Sequence, residues 1–334
     1  MKVRVYGVQP DELKLYEEAE KQGDLSFDFA KAPLNEGTVN EVQDCEAIIV
    51  MTNCQVNEKV IEVLARKGVK YVATRSAGSD HVDYAAIKKY GLHACNVPFY
   101  APEAISEHTI LMALRVLRNE KKCNAKLASN DYTMEGLRGR QLGQLTAGVL
   151  GTGRIGRTTM TLLNGFGTKV LGWDPYPNEP AAKLCTYVER DELLKQSDIV
   201  FLHCPLTPES YHVIGKETLS MMKDGAVLIN TARGGLVDHA AVLEALESGK
   251  LSGFAFDVYE NEAAFVRKKK TLDEINDPTF AALLARDNAI YSPHVAFYTD
   301  GAIYSMIEVT LDNLRQYQTT GACRNEIKEE AGPV

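Results

Sequence analysis

The chain has 334 residues, a length that suits two domains better than one core. With 45% hydrophobic and 25% charged residues it has the balance of an ordinary globular protein. A net charge of -8 argues against a nucleic-acid surface, and no apolar run has the length of a signal peptide or a membrane span, which points to a cytoplasmic protein.

Along the first hundred residues, short apolar runs alternate with helical stretches. MKVRVYGV, CEAIIVM, KYVATRS and HACNVP are predicted strands, each bounded by charge, Gly or Pro. Between them NEKVIEVLARKG sets Val60, Ile61, Val63 and Leu64 at helical spacing, with Gly68 as the stop. That alternation predicts a parallel sheet covered by helices. A long helix is expected after Pro102, through ISEHTILMALRVLRN. The polar segment 121–142 is weakly periodic and predicts a loop or extended arm.

A second alternating series follows: TAGVLG, KVLGWDP, DIVFLHCP, AVLINTA, SGFAFDV and AIYSPHV. DHAAVLEALESGK reads as a helix capped by Asp238 and stopped by Gly249. The basic run 267–270 precedes Asp273, Glu274 and Asp277 and reads as a solvated loop. Last, GAIYSMIEVTLDNLRQYQTTG is amphipathic, and two series split by a long helix predict that this segment returns to the first domain. The seven cysteines form no CxxC pair and read as reduced apolar residues without a metal framework.

The stretch VLGTGRIG carries Gly151-x-Gly153-x-x-Gly156 between a predicted strand and a predicted helix with Ile155, Leu162, Leu163 and Phe166 on one face. Gly151 permits the turn, Gly153 lets a pyrophosphate approach the backbone, and Gly156 lets the helix lie against the sheet. Asp174, at the end of the next strand, is placed to accept hydrogen bonds from an adenosine ribose and to repel a 2′-phosphate, so NAD is expected over NADP.

Ligands in such sheets sit beyond the carboxyl ends of the strands. Three charged residues follow predicted strands there: Arg233 in TARGG, Glu262 in DVYENE and His294 in SPHV. A guanidinium can grip a carboxylate through two parallel hydrogen bonds. A histidine gives or takes a proton near neutral pH, and a carboxylate beside it fixes the ring. With a nicotinamide nearby, the set fits reduction of a 2-oxo acid. His108, His203 and His239, on helices or in a strand, read as structural, and Cys204 as core.

At these residues the sequence resembles the D-isomer-specific 2-hydroxyacid dehydrogenase family, in its D-lactate dehydrogenase branch. The matching stretches include TRSAGSDHVD, NVPFYAPEAISEHT, LHCPLTPES, MKDGAVLINTARGGLVD, FDVYENE and SPHVAFYTDGA, in family order along nearly the whole chain. The resemblance implies two doubly wound α/β parallel-sheet domains: a Rossmann NAD-binding domain, 101–298, inserted into a flavodoxin-like substrate domain, 1–100 with 299–334. It implies Arg233, Glu262 and His294 as the catalytic set and Ala77, Gly78, Tyr100 and Phe297 as substrate contacts. Around NAD it implies Gly151, Gly153, Arg154, Ile155, Gly156, Asp174, Cys204, Pro205, Thr231, Ala232, Arg233 and Asp257. It further implies a homodimer joined through the cofactor domains, with pyruvate as the first substrate and phenylpyruvate, 4-methyl-2-oxopentanoate and 2-oxoglutarate as alternatives. The same fold also serves NAD-binding corepressors of the C-terminal-binding-protein type, which keep an Arg, Glu and His set.

Overall fold

The structure, a computed structural model, describes residues 1–327; the end of the polar tail, from Lys328 to Val334, lies outside the described residues. The chain divides into two compact units.

The first unit holds residues 1–101 and the chain from Tyr298 onward. Its elements begin β1 (Lys2–Tyr6), α1 (Leu13–Glu20), β2 (Ser26–Ala30), β3 (Ala47–Val50), α2 (Glu58–Arg66), β4 (Tyr71–Thr74), α3 (Tyr84–Lys89) and β5 (His93–Cys95). The five strands are parallel in the order β2-β1-β3-β4-β5. Every residue of β3 is buried, as a central parallel strand with both faces covered requires. Asn57 caps α2 by accepting from the N–H of Val60, and Gly68 follows the helix at φ +84°. Sequence alone misses β2, whose SFDFA pattern lies half exposed at the sheet edge.

The second unit spans Pro102–Phe297. It runs α4 (Pro102–Leu117), α5 (Glu120–Ala128), β6 (Thr146–Leu150), α6 (Arg154–Gly165), β7 (Lys169–Trp173), α7 (Glu179–Ala182), β8 (Thr186–Tyr187), α8 (Arg190–Gln196), β9 (Ile199–Leu202) and α9 (Lys216–Met221). Then come β10 (Ala226–Asn230), α10 (His239–Glu247), β11 (Leu251–Phe256), α11 (Leu272–Ile275), α12 (Pro278–Ala285) and β12 (Ala289–Tyr291). Its seven parallel strands lie in the order β12-β11-β10-β9-β6-β7-β8, so the winding reverses between β6 and β9.

Strand alternation divides the core of this unit in two. Val227 and Ile229 of β10 and Ile199 and Phe201 of β9 join Met112 of α4 and Leu163 of α6 in one cluster. Leu228, Val200 and Leu202 face the other way, with Leu193, Val242 and Leu283 from α8, α10 and α12. Asp238 caps α10 by accepting from the N–H of Ala241, and Gly249 follows the helix at φ +77°.

Two expectations need correction here. The segment expected as a loop or arm begins with a helix, α5, which has no buried residue and so no apolar stripe to betray it. The buried face of α6 is Gly156, Thr159, Met160 and Leu163, whereas Phe166 is the C-cap residue and 48% exposed.

The chain then returns to the first unit as α13 (Asp300–Thr320), capped by Thr299, whose hydroxyl accepts from the N–H of Ala302. Tyr317 of α13 stacks on Tyr71 of β4 with ring centroids 4.6 Å apart.

Candidate active site

The glycine turn lies where the winding reverses, at the end of β6. Gly151 has φ +95°, and a Cβ there would sit 2.5 Å from the backbone nitrogen of Cys204, beyond β9. A Cβ on Gly156 would lie 2.0 Å from the Gly151 carbonyl oxygen, so both positions demand glycine. Gly153 is the N-cap of α6, and a Cβ there would meet nothing within 4 Å. The first N–H groups of a helix have no intrahelical acceptor, so this cradle suits the pyrophosphate of a dinucleotide.

Asp174 secures the turn from β7. Its carboxylate accepts from Thr152 N at 2.7 Å and from Tyr176 N at 2.9 Å. His203 bonds Thr159 Oγ1 at 2.9 Å, and burial lowers its pKa to about 4, which makes it a neutral packing residue. Burial pushes the Cys204 thiol up to about 12, so it is no nucleophile at neutral pH.

Arg233 is held by the turn after β10. The buried Asn230 side chain accepts from Ala232 N at 3.1 Å and donates to the Arg233 carbonyl at 2.9 Å. Thr231 Oγ1 bonds Thr109 Oγ1 of α4 at 2.6 Å. A Cβ on Gly234 would lie 2.2 Å from the Tyr259 carbonyl carbon, so glycine lets this turn touch the one after β11. On that neighbouring turn, Glu262 Oε2 accepts from Tyr259 N at 2.8 Å and Oε1 meets His294 Nδ1 at 2.6 Å.

His294 occupies a tight turn at φ +56°, its N–H bonded to the Asp257 carbonyl at 2.7 Å. The Asp257 side chain, fully buried, organises that turn. It accepts from Ser292 Oγ at 2.5 Å, Val295 N at 3.0 Å and Ala296 N at 2.9 Å. Burial would raise its pKa, but bonds from His108, Ser292 and the two N–H groups outweigh it, and the carboxyl lies below its usual value. His108 of α4 bonds Ser292 Oγ at 2.9 Å and comes within 3.5 Å of Asp257. It therefore supports the turn, a part that its place on a polar helix position does not reveal.

With a Glu262 carboxylate as acceptor, His294 Nδ1 carries the proton in that bond, and Nε2 is the ring nitrogen outside it. Phe297 packs edge-on against the His294 ring, with centroids 6.3 Å apart, and the Arg267 guanidinium lies 5.8 Å from the centre of the Phe297 ring.

Ala77, Gly78 and Tyr100 lie in the first unit. The Ala77 carbonyl accepts from Asn96 Nδ2 at 2.9 Å and the Gly78 carbonyl from Ser76 Oγ at 2.7 Å. Just before this turn, Arg75 pairs with Glu12 at 2.8 Å, their side chains 1% and 2% exposed. No sequence signal joins those two residues. Tyr298 donates its hydroxyl to Asp11 at 2.7 Å in the same unit.

Residues 110–296 match the model of the D-isomer-specific 2-hydroxyacid dehydrogenase NAD-binding domain. Over 98% of its length the chain is 37% identical to the aromatic 2-oxoacid reductase of Clostridium sporogenes (strain ATCC 7955), covering 99% of that protein. It is equally 37% identical to the D-lactate dehydrogenase of Escherichia coli (strain K12), over 98% of this chain and 100% of the other. Among solved structures, a D-2-hydroxyisocaproate dehydrogenase superposes with a TM-score of 0.88 at 35% identity, over 98% of this chain and 99% of that one.

Proposed function

The chain belongs to the D-isomer-specific 2-hydroxyacid dehydrogenases, NAD-dependent oxidoreductases, and we propose that within this family it reduces pyruvate to D-lactate. The observation that carries the mechanism is the 2.6 Å contact between Glu262 and His294, in the unit that holds the glycine turn.

Bound NADH supplies the hydride to the carbonyl carbon. Arg233 grips the substrate carboxylate and polarises the carbonyl, and His294 Nε2 delivers the proton to the carbonyl oxygen. Glu262 holds the ring through Nδ1 and balances the charge that His294 carries before it gives up the proton. Gly151, Gly153, Arg154, Ile155 and Gly156 form the phosphate cradle, with Asp174 at the ribose. Cys204, Pro205, Thr231, Ala232 and Asp257 complete the cofactor lining. Ala77, Gly78, Tyr100 and Phe297 keep their role as substrate contacts on the resemblance. Residues 1–100 with 299–334 are proposed as the substrate domain and 101–298 as the cofactor domain.

A larger substrate is the second reading, favoured by the equal identity to an aromatic 2-oxoacid reductase and a D-lactate dehydrogenase. NADH oxidation with pyruvate, phenylpyruvate, 4-methyl-2-oxopentanoate and 2-oxoglutarate, side by side, separates the readings. Highest kcat/KM on pyruvate is the expected result, and preference for another acid replaces the substrate but keeps the mechanism. Tight NADH binding with no turnover on any of the four would favour a corepressor-like binding protein.

We also propose a homodimer joined through the second unit. There α5 buries no residue of its own, and Leu111, Leu127, Tyr132 and Met134 are exposed apolar side chains near it in sequence. No helix among the described residues is long and apolar enough to cross a membrane, and the cytoplasm is the proposed location.

A further inference from the structure

After α13 the described residues fold back onto the first sheet. Gly321 ends the helix at φ +75°, and the turn from Cys323 to Glu326 closes with Glu326 N bonded to the Cys323 carbonyl at 3.2 Å. Arg324 N bonds Gln316 Oε1 at 2.9 Å and Asn325 Nδ2 bonds Asn313 Oδ1 at 2.9 Å, so α13 holds the turn in place. Glu326 then pairs with Cys95 as an antiparallel bridge on β5, the last strand of the sheet. The residue that opens a tight turn lies close to the one that closes it. Cys323 is thereby delivered to the residue opposite Glu326, which is Cys95.

The two thiols are in contact, and their settings differ as the partners of a redox pair require. Cys323 is partly exposed, and a hydrogen bond from Cys95 brings its pKa down to about 7, so much of it is thiolate near neutral pH. Cys95 is 1% exposed, and the same bond together with burial keeps it protonated. Its accessible neighbour is the Cys323 sulfur. Burial instead pushes up the thiols of Cys45, Cys185 and Cys204, which stay unreactive.

The residue after Cys95 links this pair to the substrate side of the unit. Asn96 Nδ2 donates to the Ala77 carbonyl at 2.9 Å, Asn96 N bonds the Asn325 carbonyl at 3.3 Å, and the Asn96 carbonyl accepts from Asn313 Nδ2 at 3.0 Å. One asparagine thus joins the returning segment to the turn of Ala77 and Gly78. Closing the sulfur contact to a bond pulls on Cys95 and through it on Asn96.

We propose that Cys323 and Cys95 are a site of reversible oxidation by peroxides, and that their disulfide weakens substrate binding by shifting the Ala77 turn through Asn96. The second half rests on the proposed role of Ala77 and Gly78 as substrate contacts. The Cys323 thiolate attacks one oxygen of hydrogen peroxide; the O–O bond breaks, Cys323 becomes a sulfenic acid, and the departing hydroxide takes up a proton to become water. The Cys95 thiol then attacks the sulfenic sulfur. The S–S bond forms, the S–O bond breaks, and the oxygen leaves as a second water with the Cys95 proton. Two thiols have lost two electrons, the peroxide has gained them, and a dithiol reverses the change by exchange.

The test treats the full chain with hydrogen peroxide, blocks the remaining thiols with iodoacetamide and maps the peptides by mass spectrometry. A Cys95–Cys323 link cleared by dithiothreitol is expected. KM for the 2-oxo acid that the enzyme reduces best should rise several-fold on oxidation, with kcat and NADH affinity unchanged, and return with dithiothreitol. Cys323→Ser should match the native enzyme before peroxide and ignore peroxide afterwards. In Cys95→Ala, which lacks the resolving thiol, dimedone should trap Cys323 as the sulfenic acid, and longer exposure should carry it to a sulfinic acid that dithiothreitol cannot reduce. Absence of the link, or a Cys323→Ser variant that responds to peroxide like the native enzyme, would overturn the pair. Asn96→Ala separates the remaining outcomes. A raised KM in Asn96→Ala beside an unmoved KM in the disulfide form would overturn the coupling, whereas an unmoved KM in both would overturn the reading of Ala77 and leave the oxidation site standing.

Discussion

His294 adopts a left-handed backbone, φ +56°, that few non-glycine residues tolerate, asparagine being among the better ones. His294→Asn therefore keeps the turn while removing the proton carrier. It is expected to lower kcat by roughly 10²–10⁴-fold with NADH affinity retained, measured by steady-state assay and NADH titration. Undiminished turnover would dismiss His294 as the acid. The Glu12–Arg75 pair makes a different kind of claim. Glu12→Gln leaves the Arg75 charge buried without a counter-ion, which should cost about 3–5 kcal/mol in urea unfolding followed by far-UV circular dichroism. A loss below about 1 kcal/mol would mean that Arg75 finds other compensation. Arg233, Glu262 and His294 stand out in the sequence because each follows an apolar run, and chemistry narrows the choice. His108, Asn230 and Ser292 do not stand out. They act on other side chains and backbone groups, and such contacts leave no spacing to read.

Among the elements, the strands with fully buried faces are legible as apolar runs, but β2 and α5 are not, since an edge strand and a helix without buried residues have no pattern to show. The last described residues, up to Ile327, are more specific than their polar composition suggests. After α13, Ile327 N bonds the Ala94 carbonyl at 2.9 Å, Asn96 N bonds the Asn325 carbonyl at 3.3 Å, and His93 Nδ1 meets Glu326 at 2.6 Å. This pairing along β5 brings Cys323 against Cys95. A hydrogen bond from the Cys95 thiol lowers the Cys323 pKa to about 7, while Cys95 itself is raised. Cys323 should be protonated and slow below that pH and react as the thiolate above it. Peptide mapping after iodoacetamide treatment across a pH series should place its midpoint near 7, well below that of a free cysteine. A midpoint at the free-cysteine value would remove the Cys95 contact from the account.

For the whole molecule, acid stability is set in part by His239, which is 4% exposed among Phe254, Phe256 and Tyr259, with neither ring nitrogen bonded. Burial lowers its pKa from 6.5 to about 4. Between those values the unfolded chain binds the proton and the folded one does not. Stability is thus whole above the unfolded value and drains away as pH falls toward 4, by on the order of 3 kcal/mol at the limit. Urea midpoints at pH 7 and pH 4.5 should diverge less in His239→Leu than in the native chain, and equal divergence would clear His239. The alternation of strands and helices made the two parallel sheets legible from sequence, whereas His239 looks like any helix-start histidine until the rings around it are known. One more property follows from β7. It ends in Trp173, the only tryptophan in the chain, half-buried against the core of the second unit and next to the Asp174 carboxylate that grips the glycine turn. Indole emission is thus a built-in optical gauge for that unit alone. It should dim by energy transfer as NADH binds, so the light of one residue reports on the unit that holds the glycine turn.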